Sequence, residues 1–258
     1  MRKIHPTAIV HPRAEFDDDV EVGPYSIIGE GVRIGRGTII GPHVVIKGYT
    51  EIGERNRIFQ FASIGEINQD LKYKGEKTRL KIGDENVIRE YVTMQIGTVT
   101  GDGITTVGDR SLFMVYSHIA HDCTIGNGCI LANCATLAGH IRIGDGAVIG
   151  GLVGIHQFCS IGEMAIVGGC SKVVKDIPPY MMADGHPARV RGINLEGLRR
   201  RGVPAGGIKE VKAAHRAIFR STENIADEVE SLEKKYPSSK YVRTIVSFIE
   251  RSQRGIAR

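Results

Sequence analysis

The chain has 258 residues, 41% of them apolar, a formal net charge of +5, nine histidines and five cysteines, enough length for two domains. So modest a positive charge, with no aromatic-rich basic motif, excludes nucleic acid as the expected partner and fits an acidic protein or a phosphate-bearing ligand. An odd cysteine count, no signal peptide and no long apolar run point to a cytoplasmic chain that inserts into no membrane.

From Ile4 an apolar residue returns at every sixth position, through Val10, Phe16, Val22 and Ile28 to Ile64, and again at Ile82, Ile88 and Met94. From Val107 to Val173 it returns twelve times without a miss. At this apolar content the last run has a chance probability on the order of 10⁻⁵, so the period belongs to the fold. Glycine often follows the apolar residue, and a small residue such as Ala8, Thr38, Cys123, Ala135 or Ala165 lies four places after it. Neither a helix near 3.6 residues per turn nor an alternating strand gives this spacing.

The pattern predicts a mainly β fold: a left-handed parallel β-helix of hexapeptide repeats over residues 1–178, followed by a small C-terminal α-helical domain within 179–258. Three hexads make a coil, so residues 18 apart stack at strand spacing, about 4.8 Å. Residues 67–81 and 95–106 break the period and read as loops ejected for use at a ligand site or a subunit contact.

Beyond Pro178-Pro179 the remainder reads as helices. Asn194 caps a short segment, NLEGLRRRG, and three more are expected around 205–220, 222–235 and 239–252. Val242, Ile245, Val246 and Ile249 form a helical stripe read as packing. All five cysteines are read as packing residues too.

Among the histidines, His118, His121, His140 and His156 belong to the uninterrupted half of the array. His121 takes a slot that normally faces outward and is followed by Asp122. One coil above it the sequence has Gly139, and one coil further Gln157. A histidine therefore faces a space that a glycine leaves open, where a Gly139 N–H can serve an oxyanion and His121 can act as a base. Ser117, the nearest serine in sequence, falls on an inward slot, so direct attack by an acceptor is simpler than a covalent acyl-enzyme. Some hexapeptide β-helices bind zinc through a third histidine five residues after the second; here that position is Ile161, and no metal site is expected.

The strings GEINQDLKYKGE, HIAHDCTIGN, ILANCATLAGH, GIHQFC, VGGCS and NLEGLRRRG carry a resemblance to the UDP-N-acetylglucosamine O-acyltransferases of lipid A synthesis, over essentially the whole chain. The resemblance implies transfer of an (R)-3-hydroxyacyl group from acyl carrier protein to the glucosamine 3-position of a UDP-sugar, by a homotrimer with sites between subunits. It implies no cofactor of the enzyme's own, since the donor brings its 4'-phosphopantetheine on the carrier.

On that likeness His121 removes the acceptor's proton, Asp122 orients it and the Gly139 backbone stabilises the oxyanion. Asp70 and Lys72 bind the sugar nucleotide from a neighbouring subunit. His118, His140, His156 and Gln157 line the sugar and pantetheine passage, while Asn194, Glu196, Arg200 and Arg201 meet the nucleotide or carrier end. Asn133, Gly151 and Gly169 stack in one column along the acyl groove, and glycine at 169 leaves room for a long chain.

One departure stands out: the family usually has His and Arg where this chain has Gln95 and Ile96, close to the sugar. That leaves open an amine in place of the 3-hydroxyl, giving an amide. The later N-acyltransferase of the same pathway, another hexapeptide-repeat acyltransferase, carries an N-terminal uridine-binding domain, whereas here the hexads begin at Ile4.

Overall fold

The computed structural model describes residues 2–258. Three sheets of 11, 9 and 8 strands, parallel but for the last strand of the first, form the faces of a left-handed β-helix, and through the coils successive strands go to successive sheets. Most strands have two residues, an exposed one and then a buried one, as in Ile27–Ile28, Arg33–Ile34 and Thr124–Ile125. Six residues thus suffice for one strand and one corner, which is the physical origin of the period.

Partners lie 18 residues apart in plain coils, as in Lys3↔Glu21. The spacing grows to 30 between Arg57 and Val87 and to 25 between Val87 and Leu112, where extra chain is ejected without breaking the ladder. The ejected stretches are shorter than 67–81 and 95–106. Arg79–Ile82 pairs with both Tyr49–Ile52 and Ile104–Val107, and Gln95 pairs with Glu66. The hydrogen bonds of neighbouring coils recruit the loop ends back into strands.

The repeated aliphatics, from Val22 to Val173, fill the prism. Each buried Ile or Val stabilises the fold by roughly 1.5–3 kcal/mol relative to exposure. Asparagines on inward slots are satisfied by the coil above or below: Asn56 Nδ2 donates to the Gly83 carbonyl (2.9 Å), and Asn56 Oδ1 accepts from the Asn86 N–H (2.9 Å).

Along the edge between the first and second sheets Tyr25, His43, Phe61, Tyr91 and Tyr116 stack in one column, with ring centroids 5.2, 5.4, 5.0 and 4.7 Å apart. Cys134, Leu152 and Cys170 continue it. This corrects one expectation: Cys123, Cys129 and Cys159 are buried, but Cys134 is half-buried and Cys170 exposed, because both occupy the outward, left-handed corner position rather than the inward slot.

After the last coil the chain is not immediately helical. Met181–Gly185 and Ala188–Ile193 form an antiparallel hairpin that extends the first sheet beyond Ile166–Val167. The hexad spacing ends before it, so the repeat gave no sign of it. Four helices follow: α1 Leu195–Arg200, α2 Ala205–Arg220, α3 Ile225–Lys235 and α4 Lys240–Arg251. Asn194, Asn224 and Ser239 cap α1, α3 and α4 by accepting backbone N–H groups. The apolar stripe of α4 buries Val242, Ile245 and Val246. The last residues return to the prism, where Asp176 exchanges backbone hydrogen bonds with Gly255 and Ala257.

Candidate active site

The second sheet presents outward residues in strict register: His118↔Thr136↔Gly154↔Lys172. His121, Gly139 and Gln157 lie on the edge where this sheet turns into the third. Against them the first loop lays Gln69, Asp70, Leu71 and Lys72, closing one side of a cavity of about 930 Å³. His121, Gly139, Gln95, His118, His156 and Gln157 all line it. Asp70 and Lys72 thus line it together with His121 of the same chain. The loop leaves the second sheet at Glu66, beneath His118, and follows that face upward.

His121 is 8% exposed. Its Nδ1 lies 2.9 Å from Asp122 Oδ2. With a neutral ring, Nδ1–H donates to the carboxylate and leaves Nε2 as the basic nitrogen. Burial acts to raise the Asp122 carboxyl, but hydrogen bonds from His121 and Thr98 outweigh it and hold the group below the usual carboxylate range. Asp122 has a left-handed backbone (φ 58), and its N–H donates to Thr105 Oγ1 at 2.9 Å.

Gly139 does something different from what its sequence position suggests. A β-carbon there would collide with His121 Cε1 and stand 2.7 Å from Nε2. The missing side chain makes room for the imidazole itself, which lies against the next coil. The Gly139 N–H donates to no acceptor among the described residues, so it is available to an incoming oxyanion.

His140 contributes from behind. Its N–H donates to the His121 carbonyl (3.0 Å), its ring meets His121 edge to face at 5.1 Å and stacks on Phe158 at 4.6 Å. His121 Nδ1, Asp122 Oδ2 and a His140 ring nitrogen lie within 4.8 Å of one another. The carboxylate already accepts from His121 and from Thr98 Oγ1 (2.6 Å) and N–H (3.1 Å), so this is a hydrogen-bonded dyad with a second imidazole behind it.

His118 is half-buried, its Nδ1 2.6 Å from Thr93 Oγ1, and burial pushes its pKa down, favouring the neutral ring. Gln95 is 5% exposed, and its carbonyl oxygen has no partner among the described residues. Ser117 is sealed inside the prism and cannot reach the cavity.

Other expected residues lie elsewhere. Asn133, Gly151 and Gly169 do stack, a β-carbon on Gly169 falling 3.2 Å from the Gly151 carbonyl, but on the opposite edge of the second sheet. Asn194, Glu196, Arg200 and Arg201 sit towards the third edge. Asn194 Oδ1 caps α1 and its Nδ2 donates to the Met164 carbonyl at 2.8 Å. Arg201 donates to the Gly128 and Gly146 carbonyls at 3.1 and 3.3 Å, and Arg200 pairs with Glu196. One chain thus does not bring this group to His121.

The sequence reading passed over Thr136, Gly154 and Lys172, although steps of 18 from His118 point to them. It also passed over Thr98 and Gly101, for which the aperiodic second loop offers no rule.

Residues 176–257 match the family model described as "Udp N-acetylglucosamine O-acyltransferase; Domain 2", and residues 104–139 match the bacterial transferase hexapeptide model. Across its full length, and theirs, the chain is 49% identical to the acyl-[acyl-carrier-protein]–UDP-N-acetylglucosamine O-acyltransferase of Thermodesulfovibrio yellowstonii and 50% identical to that of Thiobacillus denitrificans. The solved structure of LpxA from Acinetobacter baumannii superposes with a TM-score of 0.97 at 46% identity, covering 99% of each chain.

Proposed function

The chain belongs to the UDP-N-acetylglucosamine O-acyltransferase family, and from that premise we propose that it transfers an (R)-3-hydroxyacyl group from acyl carrier protein to the glucosamine 3-hydroxyl of UDP-N-acetylglucosamine, the first step of lipid A biosynthesis. The observation that carries the reading is the buried His121–Asp122 pair pressed against Gly139 at the wall of the cavity. The sugar hydroxyl gives its proton to His121 Nε2 as its oxygen attacks the thioester carbon. Asp122 stabilises the resulting imidazolium, and the Gly139 N–H meets the oxyanion. Collapse breaks the C–S bond, and the departing phosphopantetheine thiolate takes the proton from His121.

Asp70, Lys72, His118, Gln95, His156 and Gln157 are proposed to hold the sugar nucleotide and the pantetheine arm, and the Asn133–Gly151–Gly169 column to take the acyl tail. Asn194, Glu196, Arg200 and Arg201 lie on a different edge from His121, and in the proposed homotrimer a second copy brings them to the cavity. No helix among the described residues is long and apolar enough to cross a membrane; the proposed partner is an acidic carrier protein met in the cytoplasm. Nothing in the site favours the 3-amino acceptor.

Incubation of the purified protein with UDP-N-acetylglucosamine and 3-hydroxymyristoyl acyl carrier protein tests the reading by product mass. An alkali-labile hydroxyacyl ester of the sugar nucleotide is expected. An alkali-stable amide formed only from the 3-amino sugar, or no transfer at any chain length, overturns it.

A further inference from the structure

The carboxylate of the dyad is gripped from a direction that the proposed reaction does not use. Thr98, on the second ejected loop, donates to it twice: the hydroxyl to Asp122 Oδ2 at 2.6 Å, and the N–H to both oxygens at 3.1 Å. Three residues on, a β-carbon at Gly101 would stand 2.5 Å from Asp122 Cγ and Oδ1, so the loop closes on the carboxylate with no side chain between.

The same peptide unit faces the other way as well. The carbonyl of Gly97, whose peptide bond supplies the Thr98 N–H, accepts from Asn68 Nδ2 (3.1 Å) and Thr78 Oγ1 (2.6 Å), both on the first loop. Asn68 Oδ1 in turn accepts the Asp70 N–H at 3.2 Å. One peptide plane therefore has the loop that lines the cavity hydrogen-bonded to its oxygen and the dyad's carboxylate to its nitrogen. Hydrogen bonds in such a chain polarise one another in a low-dielectric setting.

We propose that Thr98 is a positioning residue, and that the Gly97–Thr98 peptide ties the loop carrying Asp70 and Lys72 to the Asp122 carboxylate, fixing it against His121. The catalytic part of this proposal rests on the reading of His121 as the base; the positioning part does not. A carboxylate free to turn would misdirect Nδ1–H and with it the lone pair on Nε2, and small misplacements of a base are expensive in rate. The hydroxyl and N–H of Thr98 stabilise the anionic carboxylate, so loss of the hydroxyl alone already makes protonation of that carboxylate easier. The other titratable or charged groups facing Asp122 are His140, with Nε2 3.9 Å away, and Asp102, Arg142, Asp176 and Arg251 around a small cavity on its far side. Substitution of Thr98 leaves all of these in place.

The test is Thr98→Val, close to isosteric but without the hydroxyl, beside Thr98→Ser, which keeps it. In Thr98→Val kcat should fall about tenfold, the loss of one hydrogen bond to a charged group. KM for the sugar nucleotide should stay within about twofold, and the acid limb of the kcat profile should move up by about half a pH unit. Thr98→Ser should restore both. Imidazole nitrogen NMR of the resting enzyme should show the His121 Nδ1–H resonance displaced in Thr98→Val relative to the wild type, a readout that needs no turnover. If wild type transfers no acyl group, the functional reading fails while the NMR comparison still judges the clamp. Unshifted His121 resonances, or a loss of kcat with an unmoved acid limb that serine does not rescue, would overturn the proposal. Should Thr98→Val melt early, the same comparison in folded Thr98→Ser and Gly101→Ala, which presses on the carboxylate, decides it.

Discussion

The two edges of the second sheet are built from the same hexads and both carry glycines, Gly169 two coils above Gly139, yet the glycines do opposite things. At Gly139 the absent side chain is filled by the His121 imidazole, so closely that a β-carbon could not be placed without moving the ring. At Gly169 a β-carbon would meet only the backbone of Gly151, at 3.2 and 3.9 Å, and otherwise project into open space. One glycine is a seat for an imidazole; the other leaves the space beside it open. Neither needs a left-handed backbone, since neither has a positive φ. What separates them is the neighbour one coil below, an imidazole in one case and another glycine in the other.

That contrast predicts unequal responses to the smallest substitutions. Gly139→Ala should displace the His121 ring and lower kcat about a hundredfold, because a base misplaced by about an ångström loses that much, with a melting temperature that reports about 1–3 kcal/mol of overpacking. Turnover within threefold of wild type would break the comparison. Gly169→Met should leave stability within about 0.5 kcal/mol, as surface changes do, and shift preference towards shorter hydroxyacyl donors in a competition assay. An unchanged preference would detach the Asn133–Gly151–Gly169 column from the acyl chain.

The third expectation concerns pH and is smaller. Burial lowers the pKa of His118 below 6.5 in the folded protein. The unfolded chain therefore binds that proton first, and stability falls as the pH drops through 6.5 towards the folded value. His118→Asn should flatten this part of the stability curve in urea titrations between pH 7 and 5. Asp122 acts in a lower window: its depressed carboxyl lends stability above 3.8 that is lost as the pH falls below it.

The repeat made most of the fold legible, because each hexad must place one aliphatic inside and the register follows arithmetically. The stacking of His121 under Gly139, and of Asn133 under Gly151 and Gly169, came from the same rule. It could say which residues were neighbours but not which filled the other's space, so Gly139 was read as an opening. Where periodicity ends, legibility ends with it. The Met181–Ile193 hairpin is held by pairing to the end of the first sheet, the first loop by hydrogen bonds from Asn68 and Thr78 to the Gly97 carbonyl, and the grip of Thr98 on Asp122 by a contact 24 residues apart that belongs to no coil.

The central claim is that His121, seated on Gly139 and held by Asp122, is the base. It is tested most directly by the turnover of His121→Ala with UDP-N-acetylglucosamine and 3-hydroxymyristoyl acyl carrier protein, beside a melting curve of the same protein. A loss of about 10²–10⁴-fold in kcat with a wild-type melting temperature is the predicted result. A folded His121→Ala enzyme that turns over at the wild-type rate would contradict it.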